Sequence, residues 1–117
     1  MPQDFFRLES SDRAQVIELT LPQSLDSAEF DQLNESILGV VSSRKNERWV
    51  IDLSHVSYMG SAMLGLMVNV RQRVKQAGGR LVLCALSPRL LQIFQTCSLE
   101  RLFTIARNRD EALRAAK

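Results

Sequence analysis

One continuous pattern of strand, turn, helix and strand, between residues 49 and 85, constrains the fold of this chain more than any other feature. Residues 49–53 are mostly apolar and rich in aromatic and β-branched side chains, which is typical of a strand covered on both faces. After Ser61, apolar residues recur at spacings of three and four, which predicts a helix that ends at the glycines of positions 78 and 79. Residues 80–85 then predict a second buried strand. Because a helix connects the two strands, we expect them to be parallel.

The residues before this pattern predict a β-hairpin followed by a helix. Residues 5–9 and 14–20 carry apolar side chains on either side of a polar turn, as two antiparallel strands do. Asp26 or Ser27 is suited to cap the helix that follows, since either side chain can accept a hydrogen bond from a free N–H group of its first turn. We expect this helix to stop near Ser43.

The residues after the pattern predict two more helices and one more strand. Ser87 followed by Pro88 is a strong signal for a helix start, with serine as the cap and proline at the first helical position. Residues 102–105 predict the last strand. Asn108, with Glu111 three residues later, is close to a capping box and predicts a final short helix.

These elements give the order β-β-α-β-α-β-α-β-α. We therefore expect an α/β fold in a single domain, residues 1–117, with a mixed sheet of about five strands and about four helices. A chain of 117 residues is long enough to bury a core without disulfides or metals.

Charge and hydropathy exclude several classes of protein. The formal net charge of +2 is too small to indicate nucleic-acid binding. A solvated helix face explains the basic residues Arg71, Arg73, Lys75 and Arg80. No apolar run approaches the roughly 20 residues that a membrane helix needs. Residues 1–4 lack the basic start and the apolar segment of a signal peptide, so we expect the protein in the cytoplasm.

The two cysteines do not indicate a metal site. Cys84 and Cys97 form no CxxC pair, and neither has a histidine nearby in the sequence. We expect both to be small buried side chains in a reducing compartment. No motif predicts a cofactor, since the chain contains neither a Walker A sequence nor a GxGxxG sequence.

The first two turns of the central helix are apolar nearly all round. Leu64 and Val68 lie off the stripe that faces the core, whereas the later turns carry charged and amide side chains. An apolar start on an amphipathic helix predicts a second contact surface beside Ser61. The alternative is that a loop of the same domain covers these side chains, and the sequence does not decide between the two.

The residues around Ser61 follow the motif of a known family. A buried strand ends in an Asp-Leu pair, an aromatic–apolar pair follows, and a helix then begins with a serine and a Leu-Gly pair. The matching positions are Asp52, Leu53, Tyr58, Met59, Ser61, Leu64 and Gly65. By these residues the chain resembles a STAS domain, and more narrowly a bacterial anti-sigma factor antagonist, from about residue 4 to residue 116.

Three positions depart from the family's helix-start motif, Asp-Ser-Ser/Thr-Gly-Leu-Gly. Gly60 stands where the aspartate is usual, Ala62 replaces the second hydroxyl residue, and Met63 replaces the first glycine. The first of these changes removes one negative charge beside Ser61.

The resemblance implies a regulatory protein and not an enzyme. In the family, the unphosphorylated antagonist binds an anti-sigma factor, often a serine protein kinase, and thereby frees the sigma factor. The kinase phosphorylates a serine of the antagonist, which ends binding, and a serine phosphatase restores it. Ser61 falls on that serine, and Asp26 falls on the acidic residue of the loop before the first helix. The residues expected to contact the partner are Asp26, Met59, Gly60, Ser61, Ala62, Leu64 and Val68.

Other interpretations of the same residues stay open. A serine or an aspartate at a helix start is often no more than a cap, and this applies to both Ser61 and Asp26. The departures at Gly60 and Ala62 favour a STAS module that is not phosphorylated and serves as a scaffold in a larger signalling assembly. A hydrolase is disfavoured, because Gly60 and Ser61 are not part of a GxSxG elbow and the single histidine, His55, is typical of a turn or surface residue.

Overall fold

The computed structural model describes residues 5–22 and 25–116, so the predictions for residue 4 and for loop positions 23 and 24 lie outside the described residues. Within these ranges, five strands and four helices follow each other in the predicted order. The strands are β1 (Phe6–Ser10), β2 (Gln15–Thr20), β3 (Arg48–His55), β4 (Arg80–Cys84) and β5 (Thr104–Ala106). The helices are α1 (Ser27–Ser42), α2 (Ser61–Gln76), α3 (Pro88–Thr96) and α4 (Arg109–Ala115).

The strands form one mixed sheet in the order β1-β2-β3-β4-β5. β1 and β2 pair antiparallel as the predicted hairpin, and the strands from β2 to β5 pair parallel. The predicted α/β fold with a mixed sheet is therefore confirmed. Because parallel strands end at the same edge of a sheet, the loops after β2, β3 and β4 meet at one edge, and each leads into a helix.

The sheet is covered on both faces, which explains why its central strands read as continuous apolar runs. In β3, Trp49 and Ile51 belong to a large core shared with α1, α2 and α3. The residue between them, Val50, belongs to a smaller core that α4 closes with Ala112. The alternation follows from the two-residue period of a strand.

Three of the four helices begin with the predicted side-chain caps. Asp26, Ser87 and Asn108 each accept a hydrogen bond from the N–H group three residues later. The fourth helix, α2, has Gly60 as its N-cap and therefore no side-chain cap. Ser61 is thus the first helical residue, as predicted, but it is not the cap. None of the helices in the described ranges has the length and apolar character of a membrane span.

The two cysteines differ in burial. Cys84 is buried in the smaller core, as expected, whereas Cys97 is exposed. The prediction that both thiols are buried is therefore wrong for Cys97. Its position explains the difference: Cys97 is the C-cap of α3, and the next residue, Ser98, has a positive φ of 57° that turns the chain away from the helix.

Candidate functional site

Ser61 lies at the edge of the sheet where α1, α2 and α3 begin. It is exposed as the first residue of α2. Its hydroxyl takes part in none of the hydrogen bonds within the described residues. The fold therefore presents this oxygen to solvent and does not use it as a cap.

The backbone around Ser61 leaves hydrogen-bond donors unused. The first helical bond of α2 runs from Leu64 N–H to the carbonyl of Gly60, at 3.0 Å. The N–H groups of the three helical residues before Leu64 have no partner inside the helix, and Gly60 has no side chain that could accept a hydrogen bond from them. These free donors and the positive end of the helix dipole favour negative charge beside the Ser61 hydroxyl.

The loop before Ser61 buries Met59 and exposes Tyr58, which corrects the expectation for this pair. Met59 is 2% exposed and belongs to the large core, so its side chain does not form part of the surface. Tyr58 is 55% exposed. A Cβ built on Gly60 would lie 3.8 Å from Cε2 and 3.9 Å from Oη of Tyr58, so the ring lies directly beside the helix start. The sequence predicts that Met59 contacts the partner, but Tyr58 is the exposed residue of the two.

The predicted apolar surface on α2 is also smaller than expected. Leu64 is 8% exposed, because α2 packs against α1 as well as the sheet and its buried stripe is wide enough to include this residue. Val68 is half-buried against the large core. The outward face of the first two turns is instead formed by small exposed residues, namely Ser61, Ala62 and Gly65.

Asp26 reaches the same edge as the cap of α1. Its Oδ1 accepts a hydrogen bond from the N–H of Glu29 at 2.8 Å, and its own N–H donates to Oε1 of Glu29 at 3.1 Å. This capping box accounts for the structural role of Asp26. The residue is nevertheless exposed, and Oδ2 accepts no hydrogen bond from the described residues.

A cleft of about 270 Å³ lies at this edge, between the loops that follow β2 and β3 and the start of α3. Its lining residues are Leu21, Pro22, Val56, Ser57, Tyr58 and Arg89. The guanidinium carbon of Arg89 lies 5.6 Å from the centre of the Tyr58 ring, which is the geometry of a cation–π contact. No local sequence signal indicates this contact, because Arg89 lies in the first turn of α3 and Tyr58 lies in the loop before α2.

A cluster of charged side chains occupies the other face of the sheet. Arg109 of α4 donates to Glu9, Glu18 and Asp52, which lie on β1, β2 and β3. Burial tends to raise the pKa of Asp52, but hydrogen bonds from Ser54 and Arg109 outweigh it and hold that pKa below its ordinary value. Asp52, one of the motif positions, therefore links β3 to α4 through its ion pair with Arg109.

Among the described residues, His55 and Ser61 do not form a hydrogen-bonded pair. His55 lies 3.8 Å from a carboxylate oxygen of Glu18. No group of three or more histidine, cysteine or acidic residues in the described ranges could hold a metal ion.

Several known proteins are similar to this chain in sequence. A family model described as the STAS domain matches residues 7–112. The chain is 32% identical to BtrV of Bordetella bronchiseptica, which is named provisionally as an anti-sigma factor antagonist, and the match covers 80% of this chain and 79% of BtrV. It is 33% identical to the anti-sigma-B factor antagonist of Listeria monocytogenes, over 74% of this chain and 67% of that protein.

Solved structures share the fold over nearly the whole chain. An anti-sigma-factor antagonist (STAS) domain protein from Planctomyces limnophilus superposes with a TM-score of 0.82 at 25% identity, covering 95% of this chain and 97% of that one. The Bacillus cell-fate determinant SpoIIAA, solved in its phosphorylated form, superposes with a TM-score of 0.65 at 22% identity, covering 96% and 99%.

Proposed function

This chain belongs to the STAS domain family, and we propose that it is an anti-sigma factor antagonist that phosphorylation of Ser61 switches off. In this proposal the unmodified chain binds an anti-sigma factor of the serine-kinase type and releases a sigma factor. The kinase then modifies Ser61, and a serine phosphatase removes the phosphate. The observation that carries the proposal is the Ser61 hydroxyl, exposed and without a hydrogen bond to the described residues at an uncapped helix start.

The names of two relatives support this regulatory role. BtrV and the Listeria protein, both at least 32% identical to this chain, are named as anti-sigma factor antagonists. A partner of that kind acts on transcription, so we place the chain in the cytoplasm and expect no direct contact with nucleic acid or with a membrane. We also propose that residues 1–117 form a single STAS domain.

The switch requires only an exposed hydroxyl from this chain, because the kinase and the phosphatase carry out the chemistry. Phosphorylation adds about −1.5 to −2 charges at neutral pH. The free N–H groups at the start of α2 favour such a charge, so the domain itself should stay folded. A partner packed over Ser61 would have to remove the same charge from water, at a cost on the order of several kcal/mol. A micromolar complex has a binding free energy of only about −8 kcal/mol, so this cost is enough to dissociate it.

We assign the partner-binding face to the exposed and half-buried residues of this edge. Tyr58 joins the expected residues Asp26, Gly60, Ser61, Ala62 and Val68 on it. Met59 and Leu64 support the face from the core and do not contact the partner through their side chains. The Tyr58 ring supplies apolar area that the small residues of α2 do not.

Intact-mass measurement tests the proposal. The protein is used to isolate its kinase from the native organism, and the purified kinase and ATP are then added to the chain. We expect one added phosphate, which Ser61→Ala abolishes. Ser57→Ala is the matched control, because Ser57 is another exposed serine in the loop before α2. This variant should still gain one phosphate. A phosphate that persists in Ser61→Ala, or no phosphate at all, would contradict the switch.

A second candidate is a scaffold that binds through the same face without modification. Gly60 and Ala62 favour it, since neither the aspartate nor the second hydroxyl of the family motif is present. The phosphomimetic Ser61→Asp separates the two functions. Binding to the isolated partner should fall at least tenfold if the site is a switch, and it should be unchanged if the module is a scaffold.

A further inference from the structure

We propose that Arg89 is the binding group for the phosphate on Ser61, and that the phosphate draws Arg89 away from the ring of Tyr58. The inference rests on the proposed function, because it concerns the phosphorylated state of the same site. Arg89 lies outside the family motif around Ser61.

The first observation is position. Tyr58 touches the helix start on one side, with Cε2 and Oη 3.8 and 3.9 Å from the place of a Cβ on Gly60. The guanidinium of Arg89 lies over the ring, 5.6 Å from its centre. One aromatic ring therefore separates Arg89 from the residue next to Ser61. Arginine has a long flexible stem, which lets the guanidinium move around the edge of a ring to a neighbouring anion.

The second observation is charge. Arg89 forms no ion pair with the described residues, where its one partner is the Tyr58 ring. It lies in the first turn of α3, which contains no acidic residue. A cation at this end of a helix is disfavoured by the helix dipole. No carboxylate among the described residues neutralises Arg89, so its guanidinium can bind an anion at the neighbouring helix start.

A phosphate on Ser61 would bind the Arg89 guanidinium more strongly than the Tyr58 ring does. A phosphate dianion accepts two parallel N–H bonds from one guanidinium, and such bonds are stronger than an exposed cation–π contact. Arg89 should therefore exchange the ring for the phosphate when Ser61 is modified. The exchange uncovers one face of Tyr58 and the wall of the cleft, so a partner that recognises the Arg89–Tyr58 pair meets a changed surface.

A phosphate titration tests the contact without any kinase. Phosphoserine is incorporated at position 61 during translation, and the second ionisation of the phosphate, near pH 6, is followed by phosphorus NMR. A bound guanidinium favours the dianion, so Arg89→Gln should raise this phosphate pKa by about 0.5 or more. Arg13→Gln is the matched control, since Arg13 is an exposed arginine in the β1–β2 turn at the opposite edge of the sheet, and it should leave the pKa unchanged. Equal values in the parent and in Arg89→Gln would overturn the proposal.

A second readout follows the ring itself. The chain has one tyrosine, so its ring signals in a proton–carbon NMR spectrum are unambiguous. Phosphoserine at position 61 should shift these signals in the parent and should shift them far less in Arg89→Gln. An equal shift in both proteins would contradict the movement of Arg89. Failure of the proposed function is a separate result, because it would appear as the absence of kinase-dependent phosphorylation.

Discussion

Arg109, the first residue of α4, donates two hydrogen bonds to a single oxygen of Asp52, with Nε at 3.1 Å and Nη2 at 2.9 Å. The two residues are 57 positions apart in the sequence. Asp52 is buried on β3, and its other oxygen accepts a hydrogen bond from the N–H of Ser54 at 2.9 Å. The pair therefore joins α4 to the central strand.

This pair predicts a stability that depends on pH. The pKa of Asp52 is lower in the folded chain than in the unfolded one, because its hydrogen bonds to Ser54 and Arg109 outweigh the effect of burial. Its contribution is complete above the ordinary aspartate pKa and is lost as the pH falls through the lowered pKa. Arg109→Met should reduce the free energy of unfolding by about 2–3 kcal/mol at pH 7, less than for a fully buried pair because Arg109 is partly exposed. The difference from the parent should narrow below about pH 4.

Urea unfolding, followed by the fluorescence of the buried Trp49, measures this effect. Arg107→Met is the control, because Arg107 pairs with Glu111 while its side chain is 88% exposed. A surface pair of this kind should change stability by no more than about 0.5 kcal/mol. Similar losses in the two variants, or a loss for Arg109→Met that is constant with pH, would show that the ion pairs of Arg109 with Asp52, Glu9 and Glu18 do not stabilise the fold.

Sequence periodicity predicted the elements but not the contacts between them. The order of strands and helices and three of the caps depend on local signals, such as Ser87 before Pro88, and the structure confirms them. The periodicity of α2 predicts a single buried face that leaves Leu64 on the surface, whereas the packing of α1 against α2 widens that face and buries Leu64. The contacts of Arg89 with Tyr58 and of Arg109 with Asp52 join distant segments, so no local pattern could indicate them.

Opposite effects are expected for the neighbouring residues Tyr58 and Met59. Met59→Ala removes a fully buried side chain and should lower the free energy of unfolding by about 2–4 kcal/mol. Tyr58→Ala should change it by less than about 1 kcal/mol but weaken partner binding about tenfold or more, as loss of an aromatic anchor does. Urea unfolding and calorimetric titration with the isolated partner measure the two quantities. Full binding by Tyr58→Ala would remove the ring from the proposed face.

The two roles of Asp26 can be separated by a pair of substitutions. Asn is as good an N-cap as Asp, so Asp26→Asn should keep the stability of α1, whereas Asp26→Ala should cost about 1 kcal/mol. Both variants remove the negative charge, and we expect both to bind the partner more weakly, by about threefold or more. Parent-like binding by Asp26→Asn would mean that the residue serves only as the cap.

The cysteines should react very differently. Burial, and then the negative charge of Asp52, raise the pKa of the Cys84 thiol to about 12, so it carries almost no thiolate at pH 8. Cys97 is exposed to reagent. A chromogenic disulfide reagent should therefore modify one thiol quickly in the folded chain and both in denaturant. Cys97→Ser should abolish the fast reaction, and a fast reaction that survives it would show that Cys84 is accessible.

Gly65 provides the sharpest separation of binding from folding. It is exposed in the second turn of α2, and a Cβ built there would have no atom within 4 Å, so packing inside the domain does not require glycine. Gly65→Ala should raise the free energy of unfolding by about 0.5–1 kcal/mol, because alanine is the better helix former. Gly39 of α1 is equally unobstructed, and Gly39→Ala should stabilise the fold by a similar amount.

The two variants should differ in partner binding. If a partner lies close against the small residues of α2, the methyl group of Gly65→Ala prevents that approach, and affinity should fall about tenfold, whereas Gly39→Ala should bind as the parent does. Titration of the isolated partner against both variants measures this. A variant that is more stable and yet binds less well cannot owe its loss to unfolding, so Gly65 would then be retained for the interface at the expense of the helix. Equal affinities for the two variants would place the partner elsewhere on the domain.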